Sequence, residues 1–482
     1  MKSTHLGKRI GDYTSVKITS FIVIACFAIT MPAATLDNDV STAGNVGKAA
    51  IPLAGGTQNV SFNASAFDNT GGYLWGDRMA DNSNEAVTPP GLDLGAYTIS
   101  NTVASSSIQL DLNGGNLVAS SGAISIAQKA NRSVGNITVY NVGNIEMGDG
   151  FISASHYFDS GANYDSGGVF IGQDGVSGPR AGKIQIARVD AGASRNRGAI
   201  LIYSSSDVLI KDASGEPGDL INRGLPNSLG KNIEVLHQGN FLAETVGTIE
   251  HARAAANNDQ HEILFNGWVM GGGTPEGKFK ANKVVTTATL SASATNHRKF
   301  NSDHIKINNY SSVVINDIST ATDSDHATLR CTGNAGNITI NAIAGDISIT
   351  GMIDASSNAS GNPVTSRGEL TLQCNGSIKL AELDLDNVKY AQLSSGSGNS
   401  LVEGALSNFD SNSTSGSGTA IDPLVTTQTN LRTASGQKIF YRPDENIYLD
   451  NKVYKLADLA GIAGNGGVLT PEETMGTVII IQ

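Results

Sequence analysis

Very little in this chain would build a bulky globular core. Aromatic residues are only 6% of the total, whereas glycine occupies 56 of 482 positions. Few large side chains and many potential tight corners fit a narrow stack of coils better than a thick packed core. Long apolar runs are missing as well. Beyond residue 31 no segment reaches the roughly 18 apolar residues of a membrane helix. Basic residues are outnumbered, 32 Lys and Arg against 44 Asp and Glu, for a net charge of −12. That balance makes nucleic acid and anionic membranes poor partners. No tandem Asp-Asp, His-Gly pair, Gly-rich phosphate loop or nucleophile elbow is found, so the usual signposts of glycan, nucleotide and acyl chemistry are absent.

What is present starts with an export signal. Lys2, Lys8, Arg9 and Lys17 precede an apolar run from Ile18 to Met31 that ends in Pro32-Ala33-Ala34. Basic, then apolar, then small residues predict a secretory signal peptide over 1–34, cut near Ala33 or Ala34. Removing its four basic residues and one acidic residue leaves 28 against 43, a net of −15. A rival reading takes Val23-Ile24-Ala25-Cys26 as a lipoprotein box and places a lipid anchor on Cys26. The apolar run continues past Cys26, which favours ordinary cleavage.

The dominant feature is a repeat of about 32 residues, clearest in GNITINAIAGDISITG from Gly336 to Gly351. Short segments such as Ile338-Thr-Ile340 and Ile347-Ser-Ile349 alternate apolar and polar residues, the pattern of a strand with one buried face. No regular two-residue Asn-Gly or Asp-Gly turns join them, which disfavours a hairpin sheet. Starts at Gly135, Gly167, Gly198, Lys231, His261, Asp303, Gly336 and Gly368 are spaced 32, 31, 33, 30, 42, 33 and 32 residues apart. Each start is followed by an inward pair, from Ile137/Val139 to Leu370/Leu372. A second strand begins eight or nine residues later at Ile145, Val208, Phe241, Val313, Ile347 and Ile378. The coils starting at Gly167 and His261 show no clean second strand. Strands this short, in constant register, predict an all-β parallel, right-handed β-helix or solenoid with about 30–33 residues per coil.

The expected organisation is a signal peptide over 1–34, an N-terminal cap with irregular first coils over 35–105, and the solenoid over 106–393. A Ser/Gly-rich connection over 394–430 and a C-terminal Tyr-rich β module over 431–482 follow. Asp450-Asn451 is expected to form a hairpin turn, and Phe440, Tyr441, Tyr448 and Tyr454 are either module packing or a sugar-stacking surface. Cys331 and Cys374 end the matching strings ATLRC and LTLQC. If these occupy equal positions one coil apart, the pair is either a disulfide or two small core residues. Between the inward positions, Phe170, Leu201, Leu209, Leu242, Leu264 and Val314 form an apolar outward stripe. The long gap after His261 is expected to supply a cover for it from residues 271–300, a partner or ligand being the alternative.

The GNITI and GDISI units with their IDAS tail resemble the repeats of filamentous-haemagglutinin-like exoproteins and autotransporter passenger domains of diderm bacteria. The ending, GQKIFY with YLDNKVYKL and GGVL, resembles a tail found on secreted solenoid proteins of such bacteria. The resemblance spans roughly residues 106–475 and implies a secreted or cell-surface solenoid. It does not carry a secretion route, because no NPNG motif and no run of long barrel strands is present.

The candidates for enzymatic chemistry are Asp323/Asp325/His326, Asp384/Asp386, Lys211/Asp212 and the His251/His261 pair with Glu250 and Glu262. Glycan hydrolysis needs carboxylates that converge on one face. Here Asp384 and Asp386 alternate with leucines, and Asp323 and Asp325 sit in a turn-rich loop. The ten-residue gap between His251 and His261 matches no usual zinc spacing. The reading therefore assigns no catalytic, cofactor-binding or metal-ligating residue. It expects a secreted structural or adhesin-like solenoid that meets a cell-surface or extracellular glycan or protein, with lateral or end-to-end self-association open to it. A β-helical polysaccharide-degrading or carbohydrate-binding protein is the alternative.

Overall fold

A computed structural model describes residues 58–62, 73–75, 92–94, 97–101, 108–111, 114–126, 136–155, 167–172, 179–192, 198–223, 231–252, 261–267, 273–290, 301–322, 334–357, 364–397, 399–404 and 406–407, with further short strands up to residue 471. The alternating segments stack into a parallel solenoid whose coils have three walls. The first wall is a 12-stranded parallel sheet, and its strands number the coils. Coils 1 to 6 begin with Tyr73–Trp75, Ile108–Asp111, Ile137–Tyr140, Val169–Ile171, Ile200–Tyr203 and Lys231–His237. Coils 7 to 12 begin with Glu262–Gly267, His304–Tyr310, Ile338–Ala342, Glu369–Cys374, Tyr390–Ser395 and Leu431–Thr433.

All eight expected inward pairs fall in register. Ile137, Val169, Ile200, Ile233, Ile263, Ile305, Ile338 and Leu370 pair one above the other, as do Val139 through Leu372 two residues on. Every one of these side chains is fully buried. A core of stacked aliphatic residues follows directly from the period-two pattern, since neighbouring parallel strands place equal positions side by side.

The second wall contains each of the six expected second-strand positions in parallel register. It also fills the two coils that lacked one: Ile184 pairs with both Ile145 and Val208, and Phe279 pairs with Phe241. A third wall was not expected from the sequence. Ile152, Val189, Leu220, Val246, Val284, Ile318 and Ile353 line its inner side, all at most 3% exposed. In coils 6 and 7 single strands, Phe241–Ala252 and Lys278–Leu290, run across the second and third walls together. Inward residues there read Phe241, Ala243 and then Val246. The corner adds one residue and shifts the phase, which hides the third wall from a period-two search.

Two expectations need correction. The part of 271–300 expected as a cover that the structure describes is not one, because Lys278–Leu290 is itself solenoid wall, paired with coils 6 and 8. Residues 271–272 and 291–300 lie outside the described residues. Of the twelve residues by which coil 7 exceeds coil 6 (42 against 30), eight fall between Phe265 and Phe279 and four after Leu290, counted between register partners. Cys374 does not sit above Cys331. Its partner one coil down is Ala342 and one coil up Ser395, and Cys374 is a buried free thiol. Cys331 lies outside the described residues, as do the signal peptide and Cys26. The string match misled because register is set at the corner glycines, not by the apolar string.

Coil pairing also continues past both ends of the expected run. Tyr73–Trp75 pairs with Ile108–Leu110, and Gln58–Phe62 pairs with Tyr97–Asn101. After Leu393, Asn399–Val402 and Lys438–Tyr441 extend the second wall, and Leu431–Thr433 extends the first. Small or polar inward residues conceal these coils, such as Ala391, Ser395 and Ser400, all buried. Two antiparallel hairpins branch off, Ser411–Ser415 with Val425–Thr429 and Asn446–Leu449 with Lys452–Lys455. In the second, Leu449 pairs with Lys452, and the Asp450-Asn451 turn expected between them lies outside the described residues.

Candidate functional site

The corners account for much of the chain's Asn and Asp. Asn116 Oδ1 accepts from the Asn144 N–H one coil above at 2.8 Å, and Asn144 Oδ1 accepts from the Lys183 N–H at 2.9 Å. Asp207, Asn240, Asp317 and Asp346 accept in the same way from Asn240, Lys278, Met352 and Ser377. Asn136 and Asn337 serve the other corner, accepting from Gly168 and Glu369. These side chains take up corner N–H groups that lie between backbone bonds of the ladder, such as Gly239 N–H to Ser206 O and Val208 N–H to Asn240 O on either side of the Asn240 N–H. Their preceding glycines are equally constrained. A Cβ at Gly239 or Gly376 would lie 2.2 Å from the carboxylate oxygen of Asp207 or Asp346 below. The Gly-Asn and Gly-Asp dipeptides of the repeat are therefore corner pieces.

Most of the weighed acidic residues have similar structural employment. Asp384 caps the short 3-10 turn Leu385–Asn387 by accepting from the Asp386 N–H at 2.9 Å. Asp386 meets Arg367 Nη1 at 3.3 Å. Asp212 organises the exposed turn after Lys211, accepting from Ser214 Oγ at 2.7 Å and from the Glu216 N–H at 2.9 Å. The Ser214 hydroxyl and the turn's N–H groups hold its carboxyl below the usual range. His251 and Glu250 belong to the third-wall strand, whereas His261 and Glu262 open coil 7 on the first wall. Glu262 pairs with Lys306. Asp323, Asp325 and His326 lie outside the described residues. Among the described residues no three His, Cys, Asp or Glu side chains converge as a metal site.

The outward side of the first wall carries two chemically distinct zones. In coils 4 to 7, Phe170, Leu201, Glu234 and Leu264 stand in one column. The three apolar members are half-buried, and Glu234 is 6% exposed. Tyr203 Oη donates to Glu234 Oε2 at 3.3 Å. Burial, and then the negative charge of Glu234, pushes the Tyr203 phenol up to about 12. On the second wall exposed Lys280 separates Leu242 from Val314, so the expected apolar stripe is broken there. In coils 10 to 12 the zone is polar. Glu369 accepts from Lys389 Nζ and Tyr390 Oη, both at 2.7 Å, and Arg432 lies 4.2 Å over the Tyr390 ring. Burial raises the Glu369 pKa, but the Lys389 and Tyr390 contacts outweigh it and hold the carboxyl below its ordinary value.

A histidine–tyrosine pair sits deep in the bore. His237 is fully buried, and its Nε2 lies 2.6 Å from Tyr310 Oη, two coils away. Phe241, Phe265 and Phe279 pack around them, with ring centroids 4.6–5.1 Å apart. Burial depresses the imidazole to about 4, against the Asp207 carboxylate and the Ser206 and Gly239 backbone, which favour charge. The ring is therefore neutral at ordinary pH. Sequence reading missed this pair. The available signal was His237 in inward phase, where the repeat elsewhere places small residues such as Ala342, whereas Tyr310 is out of phase and comes inward only through a bulge after Asn308.

Comparison with family models, with curated proteins and with solved structures yields no match.

Proposed function

We propose that the chain is an exported, non-enzymatic β-solenoid of the cell surface or its surroundings. In this reading it acts as a structural or adhesin-like rod whose outer walls meet glycan or protein partners. The observation that supports it is the use made of its polar side chains. Asp207, Asp317, Asp346, Asp384 and Asp386 are each tied to a backbone or cationic partner that stabilises the coil. Carboxylates held this way serve the rod and are poorly placed for acid–base work. The apolar signal at 18–31 and the net charge of −12 fit export and a soluble outer surface.

A carbohydrate-binding role is the second reading, drawing on Lys389, Tyr390 and Arg432 at one end of the first wall. Cell fractionation followed by N-terminal sequencing tests export. A mature chain starting near residue 34 outside the inner membrane is expected, and an uncut cytoplasmic chain would defeat the proposal. Incubation with a polysaccharide panel tests the rest. Release of reducing ends or unsaturated sugars would replace the structural reading with an enzymatic one, and saturable binding without turnover would favour the second reading.

A further inference from the structure

Three departures from the repeat bring His237 and Tyr310 together. His237 takes the inward position that ends the coil 6 strand. Its register partner in coil 7 is Gly267, which leaves space across the intervening coil. In coil 8 a bulge falls between Asn308 and Tyr310, with Asn309 at φ +62°. That inserted residue turns Tyr310 into the bore. A Cβ at Gly267 would already come within 3.4 Å of the Tyr310 ring and 2.2 Å of the Asn309 carbonyl oxygen. The contact therefore skips a coil, from coil 6 to coil 8, and is packed against the phenyl rings of Phe241 and Phe279.

A neutral imidazole with its proton on Nδ1 accepts from the Tyr310 hydroxyl at Nε2. A second proton would turn Nε2 into a donor, displace the Tyr310 proton from that bond and place a full charge among three phenyl rings. The Ser206 and Gly239 backbone beside the ring favours its charge, but burial outweighs it. Tyr310 is fully buried and far above its ordinary pKa, so it stays neutral and cannot compensate. Asp207, across the coil corner, is the charged group that acts on the ring, and its Oδ1 is already taken by the Asn240 backbone and amide.

We infer that the His237–Tyr310 pair is an acid-released fastener, so that mild acidification opens coils 6 to 8 while the flanking coils stay stacked. Each coil of a solenoid contacts only its neighbours, so loss of two adjacent interfaces is local rather than global. The sign follows from the depressed pKa. Closed coils exclude the proton and an opened ring takes it up, so stability is complete above about pH 6.5 and falls as pH drops toward 4. Between pH 7.5 and pH 5 the opening equilibrium should rise about 30-fold from this group alone.

Hydrogen exchange of the full mature chain, corrected for intrinsic rates, reads this directly when wild type and His237→Gln are compared at pH 7.5 and 5. Gln keeps a polar group opposite Tyr310 and cannot titrate. The expected result is a pH-dependent loss of protection in residues 231–267 and 301–310 of wild type only, with 338–380 unchanged. The same loss in both proteins would overturn the inference. If His237→Gln does not fold, imidazole NMR of wild type decides. A His237 resonance that titrates near 6.5 in an intact rod would sink the idea, and one silent above pH 5 would sustain it.

Discussion

At the residue scale, a corner works as a two-part joint. Asp346 Oδ1 lies 2.7 Å from the Ser377 N–H above, and the same oxygen would lie 2.2 Å from a Cβ at Gly376. Asp346→Ala leaves a corner N–H without its acceptor and should cost about 1–3 kcal/mol in urea unfolding. Gly376→Ala forces the carboxylate and the Gly345 backbone apart and should cost a similar amount through strain, about 1–3 kcal/mol. The double variant should cost less than the sum, because removing the carboxylate relieves part of the clash. Additive losses would show that the glycine is required for some other reason. Surface ion pairs are different. Lys379 and Glu403 meet at 2.7 Å, but the side chains are 50% and 44% exposed, so breaking the pair should change stability by less than about 1 kcal/mol.

At the element scale the quantity that matters is register, since a one-residue slip turns every inward side chain outward. Ile338 is fully buried between Ile305 and Leu370. Ile338→Asp should cost several kcal/mol, on the order of 3–5, by placing an unpaired carboxylate in that column. A melting temperature equal to the parent's would contradict the assigned register. Ala342 stacks directly on Cys374, at a strand spacing of about 4.8 Å that lies within disulfide reach. In a Cys331→Ser background, Ala342→Cys should therefore cross-link to Cys374 under mild oxidation, seen as faster migration on a non-reducing gel. Two thiols that remain titratable in the folded protein would mean that these strands are not in this register.

At the scale of the whole molecule, one consequence of a stacked rod is that a complete coil can be removed. Gly336 and Gly368 occupy equivalent corners, each placed against the backbone of the coil below. Deleting residues 336–367 would bring Leu370 onto Ile305 and Ile378 onto Val313, the same contacts made by coil 9. The shortened chain should keep its β-type circular dichroism and a cooperative melt. Deleting only Ile347–Asp354 removes the second and third walls of this coil, leaves its first wall without a bore to close, and should abolish cooperative folding of the neighbouring coils. If both deletions behave alike, the coil is not the unit of stability. The fastener at His237 modifies this picture in one place, by linking coils 6 and 8 as well as neighbours.

Alternation by itself determined which side chains enter the bore, because a β-strand leaves no freedom in which face a residue occupies once its neighbour is placed. The spacing of the alternating pairs, from Ile137/Val139 to Leu370/Leu372, set the coil length, whereas the corner role of Asn and Asp rests on hydrogen bonds between coils. Only the tertiary structure decided the rest. The third wall escaped because the corner residues Glu244 and Thr245 break the phase between Ala243 and Val246. Coil 11 escaped because Ala391 and Ser400 are buried by their stacking neighbours rather than by their own hydrophobicity. The neutral histidine in the bore escaped for the strongest reason. His237 and Tyr310 are 73 residues apart. What joins them is a missing side chain at Gly267 and an extra residue at Asn309, and neither has meaning until the coils are stacked.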